Sequence, residues 1–382
     1  MDEDNSLEND TLYEGDFIFD DYDQHIVIAT AFLAASLIGI VGNSLVIFSV
    51  FASNKLRTIT NAFVVNLSVA DLLTCLLMPW NAVILLSHKE HPIADIGCAV
   101  IAGLLFTCVG CSLFTLASIA ITRLMLITRP ISTSRVIFSP VYTGTWIAAT
   151  WGLSFIFNVI PPLAGVGRLG TSQKYRVCAT KSAHELKDIY DFIQGGGCFP
   201  IPLITLVVCY VLIYKHLKRH SRTLLGHEVP MPSHGGDTMV SSSDAGGTLQ
   251  LQDSDQMTGR QDHHQSRRDT TASSTLTRLR LRDRQNRVTK NMFIIFIAFV
   301  ICITPITITL FLSDGSPLKA ITPYATALVL VNACINPILY GFKHPNFKVV
   351  FKSLLTCRYY DVPEPSSQFK QWRQCFTMCT RK

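Results

Sequence analysis

Asp71 stands alone as the only charged residue between Thr58 and Ser87. An ionisable side chain at membrane depth is costly unless it is paired or hydrated, so it reads as functional. A second polar set lies near the other end of the chain, in Asn332-Ala-Cys-Ile-Asn336-Pro337-Ile-Leu-Tyr340. On a helix Asn332, Asn336 and Tyr340 share one face, four residues apart. Pro337 removes a backbone donor and clashes with the carbonyl one turn back, so the helix should bend there. Polar groups in hydrocarbon must find internal partners. A third apolar run closes on Ile121-Thr122-Arg123-Leu124. None of these groups forms a nucleophile–base pair or a metal set facing water, so catalysis is not expected.

Other chemical patterns fail on context. Cys108-x-x-Cys111 has redox spacing but lies mid-run with no thioredoxin-like surroundings. Gly165-Val-Gly167-Arg-Leu-Gly170 matches a dinucleotide fingerprint but lacks the preceding strand and following helix, and reads as the start of a flexible loop. His263-His264 has no third metal ligand nearby. The sequon Asn66-Leu67-Ser68 falls inside an apolar helix, whereas Asn9-Asp10-Thr11 lies in a polar tail and is a candidate glycosylation site.

The elements that must position these groups follow from the apolar runs. The chain of 382 residues is 48% hydrophobic and 16% charged. A helix crossing roughly 30 Å of hydrocarbon needs about 20 residues. Runs of that length occupy Ile26–Asn54, Thr58–Ser87, Ile96–Thr122, Val136–Gly167, Phe192–Tyr214, Asn291–Ser313 and Ala320–Phe342. The expected fold is an all-α membrane protein, a seven-transmembrane helix bundle. Seven buried core helices of a soluble protein would need membrane length by chance. Beyond the last span Phe347, Val350, Phe351, Leu354 and Leu355 recur at three and four, opposite Lys348 and Lys352. They predict a short amphipathic helix on the inner leaflet. Cys357 at its end is a candidate palmitoylation site, with Cys375 and Cys379 as weaker ones.

Charge orients the bundle. The first 25 residues carry ten acids and no Lys or Arg. Lys55 and Arg57, then Arg129 and Arg135, then Lys215 through Lys290 follow the first, third and fifth spans. The amino terminus is therefore expected outside, at the plasma membrane, and the carboxyl terminus inside. The first span should act as a signal anchor rather than be cleaved. The net charge of +6 reads as a topology signal, with no nucleic-acid partner. Three domains result: an acidic, solvated and disordered tail over 1–25; a membrane domain over 26–357, whose loop 215–284 is disordered; and a cytoplasmic tail over 358–382. Tyr13 and Tyr22 sit among acids, where sulfation or mere solvation are both open.

Taken together, Gly42-Asn43-Ser44, Leu67-Ser68-Val69-Ala70-Asp71, Trp151, Pro161-Pro162, Phe199, Pro202, Tyr210, Phe299, Pro305 and Asn336-Pro337-Ile-Leu-Tyr340 resemble the rhodopsin-like family of G-protein-coupled receptors. The resemblance covers about residues 26–357 and implies several roles. Cys98 and Cys178 would be joined, tying the second outer loop to the third helix. Asn43, Asp71, Ser112, Asn332 and Asn336 would form a sodium pocket, with Asp71 as the charged ligand of an allosteric Na+; no other cofactor is implied. Pro202, Leu113 and Phe299 would form a packing connector. Arg123, Tyr210 and Tyr340 would rearrange, with bends at Pro305 and Pro337, to admit a heterotrimeric G protein, the inhibitory class being favoured. Arrestin and receptor kinases would act at the third loop and tail. The ligand pocket would include Leu105, Phe106, Val109, Cys198 and Ile303.

Departures from the family pattern are equally specific. Thr122 stands where an acid usually precedes the arginine, and Leu124 where an aromatic follows it. Gln285 replaces a common Glu, and Ile303 replaces the tryptophan two residues before Pro305. Leu105, seven after Cys98, argues against biogenic amines; Leu330, seven before Pro337, argues against an opsin. Leu169-Gly170 ahead of Cys178 and Cys334-Ile-Asn336-Pro337 resemble the cluster of melatonin receptors and the insect moody and trapped-in-endoderm orphans. The melatonin-contacting amides are absent, Pro161 and Lys181 standing instead. The expected function is thus an orphan receptor with a largely apolar pocket, in which Arg168, Lys174, Arg176 and Lys181 attract an acidic lipid or are simply solvated. A peptide receptor of the same fold is the alternative. A secondary transporter would show paired, interrupted spans in two halves, and none are evident.

Overall fold

The computed structural model describes residues 19, 21–87, 93–128, 139–181, 184–225, 293–312 and 316–380. Asn9, Tyr13, Arg129, Arg135, His263, His264 and Gln285 lie outside the described residues. The chain divides into Met1–Tyr214 with Asn291–Lys382, and Lys215–Lys290. In the first unit the helices are α1 (Tyr22–Ala52), α2 (Ile59–Leu86), α3 (Asp95–Thr128), α4 (Pro140–Asn158), α5 (Lys187–Cys198, then Pro200–Leu225, whose last turns enter the second unit), α6 (Phe293–Leu310) and α7 (Thr322–Lys343). Two shorter ones follow, α8 (Pro345–Leu355) and α9 (Ser367–Thr380). Among the described residues, α1, α2, α3, α5, α6 and α7 are each long and apolar enough to cross a membrane. The fourth helix is diluted by Thr143, Thr150, Ser154 and Asn158, all buried against the bundle, and a single turn, Ile160–Leu163, extends it. Belts of exposed apolar side chains, such as Val27, Leu37 and Val41 on α1 and Ile204, Val208 and Leu212 on α5, are what a lipid-facing surface requires.

Helix ends depart from the apolar runs because caps, not hydropathy, decide where a helix starts. Asp21 caps α1, accepting from the Asp23 and Gln24 amides, so the helix begins four residues before the apolar run. Phe19 is buried, its amide donates to the Lys174 carbonyl at 3.0 Å, and the His25 ring bonds the Phe19 carbonyl. Residues 19 and 21–25 are therefore ordered parts of the bundle, which corrects the expectation of a disordered tail through residue 25. Helix α5 is broken at Phe199 because Pro200 and Pro202 remove two amide donors within three residues.

Close approach of helices relies on missing side chains. A Cβ on Gly42 would lie 2.7 Å from Pro337 Cγ, so α1 and α7 meet closely at Pro337. The same logic at Gly110 lets Ser154 of α4 donate to the Thr107 carbonyl of α3 at 2.7 Å.

At one end of the bundle β1 (Leu169–Ser172) and β2 (Val177–Thr180) form an antiparallel hairpin, Thr171 opposite Cys178. The glycine-rich stretch begins as turns after the helix and runs on into the hairpin. Gly165 and Gly167 take positive φ, a Cβ on Gly167 would meet Tyr190, and Gly170 lies within β1. Cys98 and Cys178 are bonded, with Cα atoms 5.0 Å apart. Asp95 at the start of α3 adds a 3.0 Å bond from the Thr171 amide and a 3.0 Å ion pair with Lys181.

At the other end α8 buries Phe347, Val350, Phe351 and Leu354 but leaves Leu355 exposed. Phe347 stacks on Tyr340 at 5.6 Å between ring centroids. The segment beyond residue 357 is not a free tail: Ser366 donates through its amide to the Ala52 carbonyl and through its hydroxyl to that of Phe51, and Phe369 and Trp372 of α9 pack on Phe48.

Candidate functional site

Among the described residues, two cavities along the bundle bear on the site. The smaller, about 10 Å³, is lined by Asp71, Thr74, Val109, Ser112, Phe299, Ile303, Val329, Asn332 and Ala333. That is room for about one water or a bare small cation. Asp71 is buried, with one oxygen accepting from Ser112 Oγ at 2.8 Å and the other from Asn336 Nδ2 at 2.8 Å. Asn332 and Asn336 stand one turn apart on α7, so both amides lie on the face that meets Asp71. Asn43 is used differently. Its amide donates to the Gly39 carbonyl at 2.9 Å and, across helices, to the Ala333 carbonyl at 3.0 Å. It ties α1 to α7 and is not among the residues lining the cavity.

The larger cavity, about 190 Å³, lies at the disulfide end. Leu105, Phe106, Val109 and Cys198 line it, while Ile303 lines the smaller cavity instead. Its apolar walls come from α1, α2 and α3, through Ile28, Phe32, Met78, Leu85 and Leu105, and from α6 and α7. The hairpin contributes Tyr175 and Val177 through Thr180. The α4–α5 wall is polar: Asn158, Lys187, Asp191 and Gln194. Lys187 and Asp191 are buried and paired at 3.2 Å, and Gln194 Nε2 donates to Asn158 Oδ1 at 2.9 Å. The loop cations are also engaged. Arg176 donates to the Ser87 carbonyl at 3.1 Å, Lys181 pairs with Asp95, and Lys174 is buried. None of these three is simply solvated.

Toward the opposite end Arg123, Tyr210 and Tyr340 lie within electrostatic reach of one another. Arg123 Nε and Tyr340 Oη are buried and accept or donate no hydrogen bond among the described residues. Thr122 does not turn to the arginine; its hydroxyl donates to the Ser118 carbonyl at 2.8 Å. Tyr210 stacks on Phe296.

A family model described as "7 transmembrane receptor (rhodopsin family)" matches residues 42–340. The chain belongs to this family. The receptor is 24% identical over 344 residues to the G-protein coupled receptor moody of Drosophila melanogaster, covering 84% of this chain and 50% of that one. It thus spans about half the length of that relative. It is 29% identical over 351 residues to the probable G-protein coupled receptor No18 of Amphibalanus amphitrite, covering 87% of this chain and 90% of that one. The squid rhodopsin crystal structure superposes with a TM-score of 0.64 at 20% identity, covering 90% of this chain and 93% of that one, which shows the shared fold. As in the rest of the family, the protein is a multi-pass membrane receptor and not an enzyme.

Several site residues of the receptor escape sequence reading. Thr74 joins the Asp71 cavity one helical turn beyond the carboxylate, a spacing that could have found it. Asn81 Oδ1 accepts from the Cys178 amide at 2.7 Å, anchoring the hairpin to α2. Lys187 and Asp191 were hidden by hydropathy, because their charge makes the apolar run seem to begin at Phe192, and Gln194 lies unremarked within that run. Asn66, the buried sequon, instead accepts from Trp151 Nε1 at 2.9 Å and donates to Thr115 Oγ1 at 2.7 Å. Leu113 lines the large cavity and Phe299 the small one, with Pro202 buried on α5.

Proposed function

We propose that the receptor detects a ligand in the cavity at its disulfide end and passes the signal to a heterotrimeric G protein bound at the Arg123 end. The amino terminus faces the cell exterior at the plasma membrane. The observation that carries this reading is a continuous arrangement in one bundle. A ligand-sized cavity sits directly above a polar centre at Asp71, and Val109 and Val329 line both. Below lie Asn336, Pro337, the buried Tyr340 and the half-buried Arg123. A ligand that binds one packing of α6 and α7 better than another shifts the population between them, and only that difference in affinity drives signalling.

The donor set around Asp71 fits sodium: one carboxylate with hydroxyl and amide oxygens from Ser112, Thr74 and Asn332, in a space for one small ion. Bound there, Na+ would supply a counter-charge to Asp71 and so favour the packing in which α2, α3 and α7 converge. Asn43 serves as a tie between α1 and α7 rather than a ligand in this reading. The receptor is neither an opsin nor aminergic: Leu330 occupies the retinal-lysine position and is fully buried, and Leu105 occupies the amine-aspartate position.

Nucleotide exchange on purified G proteins tests the proposal. The full chain in nanodiscs should accelerate exchange on at least one class, the inhibitory class first. No acceleration on any class, with correctly folded receptor, overturns it.

A further inference from the structure

Residues 359–375 fold onto the end of α1 beside α8, in an arrangement that neither cavity uses. Residues 363–366 run antiparallel to the end of α1. The Asn54 amide donates to the Glu364 carbonyl and the Ser366 amide to the Ala52 carbonyl, both at 2.9 Å. Phe369 and Trp372 of α9 then close on Phe48, at 6.0 and 5.4 Å between ring centroids. A helix of 14 residues is marginal alone in water, so this contact is what α9 needs. On α1, Leu37, Val41, Ser44, Phe48 and Phe51 recur at three and four residues, and all are exposed except the half-covered Phe48. That is the lipid-facing stripe of α1. Helix α9 therefore covers its last turns, where hydrocarbon gives way to headgroups.

The outer side of this unit is cationic and apolar at once. Opposite its buried face, α8 exposes Lys348, Val349, Lys352 and Leu355. Beyond it Arg358, Tyr360 and Lys370 are exposed, Tyr360 by 72%. Arg373 is engaged within the unit, over the Tyr360 ring at 4.0 Å and donating to the Tyr359 carbonyl at 3.4 Å. Residues 343–375 hold six Lys or Arg against two acids, the exposed Asp361 and Glu364. Among the described residues, no ion pair engages Lys348, Lys352, Arg358 or Lys370. A surface facing only water gains nothing by exposing Val349, Leu355 and Tyr360. A surface facing a bilayer buries such side chains and keeps its ammonium groups at the level of the phosphates. Each cation near an anionic leaflet is then worth about fivefold in affinity. We infer that α8, the Tyr359–Asp361 turn and α9 form one docking surface for anionic phospholipid headgroups of the adjoining leaflet, and that headgroup binding holds α9 against α1.

Amide hydrogen exchange of the full chain in nanodiscs tests this without a ligand or a G protein. Discs of phosphatidylcholine alone are compared with discs that also contain phosphatidylserine. Exchange reports local opening, so a bound headgroup slows it where it holds the chain. Amides of residues 367–375 should exchange at least about fivefold more slowly in the anionic discs, while those of α3 stay unchanged. The slowing should disappear at high salt, which screens exposed charges. It should also be lost in Lys352→Gln/Lys370→Gln, two exposed positions where glutamine leaves the fold intact. Equal exchange in the two kinds of disc overturns the inference, since α9 would then be held by Phe48 alone. So does slowing that persists in the double variant, because the cations would not be the contact. Inorganic phosphate that reproduces the slowing in neutral discs overturns it as well, by making the surface a site for soluble anions rather than for the leaflet.

Discussion

Asp71, buried, and Arg123, half-buried with its Nε enclosed, are charged groups of the same bundle, and they are treated in opposite ways. Each oxygen of Asp71 receives a 2.8 Å hydrogen bond, from α3 and from α7. Arg123 Nε receives no partner among the described residues, and its neighbour Thr122 spends its hydroxyl within α3. The difference teaches where the bundle is cross-linked. Three helices are locked together at the middle by one carboxylate. At the other end the side chains that would lock α3 to α5 and α7 lie close together without that closure, so this end is the easier one to rearrange.

The comparison breaks most visibly at its strong half. Asn336→Leu removes one of the two bonds to Asp71 and leaves a buried carboxylate half satisfied. A hydrogen bond to a charged group is worth about 1.5–3 kcal/mol, and the orphaned oxygen adds its own desolvation cost, so the loss should approach about 3 kcal/mol. A thermal shift of the purified receptor reads this. Ser112→Ala should cost less, because a smaller side chain leaves the cavity open to water. Equal melting of wild type and Asn336→Leu would show that the Asp71 bonds do not hold α2 to α7.

Asp71→Asn keeps the shape and removes the charge. Under the proposed sodium role it should abolish any sodium dependence of the receptor's resting exchange activity, while leaving the thermal stability closer to wild type than Asn336→Leu does. Titration of sodium against potassium at constant ionic strength separates a specific ion from general screening. The same sodium response in both receptors would remove the ion from the mechanism.

Much of this contrast could be read before any coordinates, and the part that could not has a physical cause. Asp71, Asn336 and Tyr340 announce themselves because a polar residue in an apolar run has few explanations. The spans were legible for the same reason. The cavity's polar wall was not, since Lys187 and Asp191 look like the solvated end of a loop until α5 is seen to start at Lys187. Nor was the docking of residues 363–372 on α1, which rests on backbone carbonyls of Phe51 and Ala52 that no side-chain pattern reveals. Asn43 shows the limit of motif transfer: it sits at a family position yet bonds a carbonyl of α7 rather than facing the small cavity.

At the weak half, restoring an acid should slow the resting receptor. Thr122→Asp offers Arg123 a charged partner where threonine offers none. Charge-assisted bonds are about twice as strong as neutral ones, so a shift of about 1 kcal/mol is reasonable. Because 1.4 kcal/mol is tenfold, basal exchange should fall about fivefold at matched surface expression. Unchanged or higher basal activity would mean that the arginine restraint does not set the resting state.

The smallest expected effect is the sharpest control on that reasoning. If Thr122 restrained Arg123 through a neutral hydrogen bond, removing its hydroxyl would loosen the resting state. The geometry says otherwise, because the hydroxyl proton is already given to the Ser118 carbonyl, four residues earlier on the same helix. Such back-bonding within a helix competes with the carbonyl's own ladder bond and contributes little to stability. Valine has nearly the shape of threonine, and position 122 is buried, so Thr122→Val should lose one satisfied donor and gain apolar packing. Basal exchange should stay within about twofold of wild type, equivalent to less than about 0.5 kcal/mol, while Thr122→Asp falls well below both. The two substitutions at one position thus separate the loss of a hydroxyl from the gain of a charge. Raised basal exchange in Thr122→Val would place Thr122 in the restraint after all, and would mean that the two ends of the bundle differ less than Asp71 and Arg123 suggest.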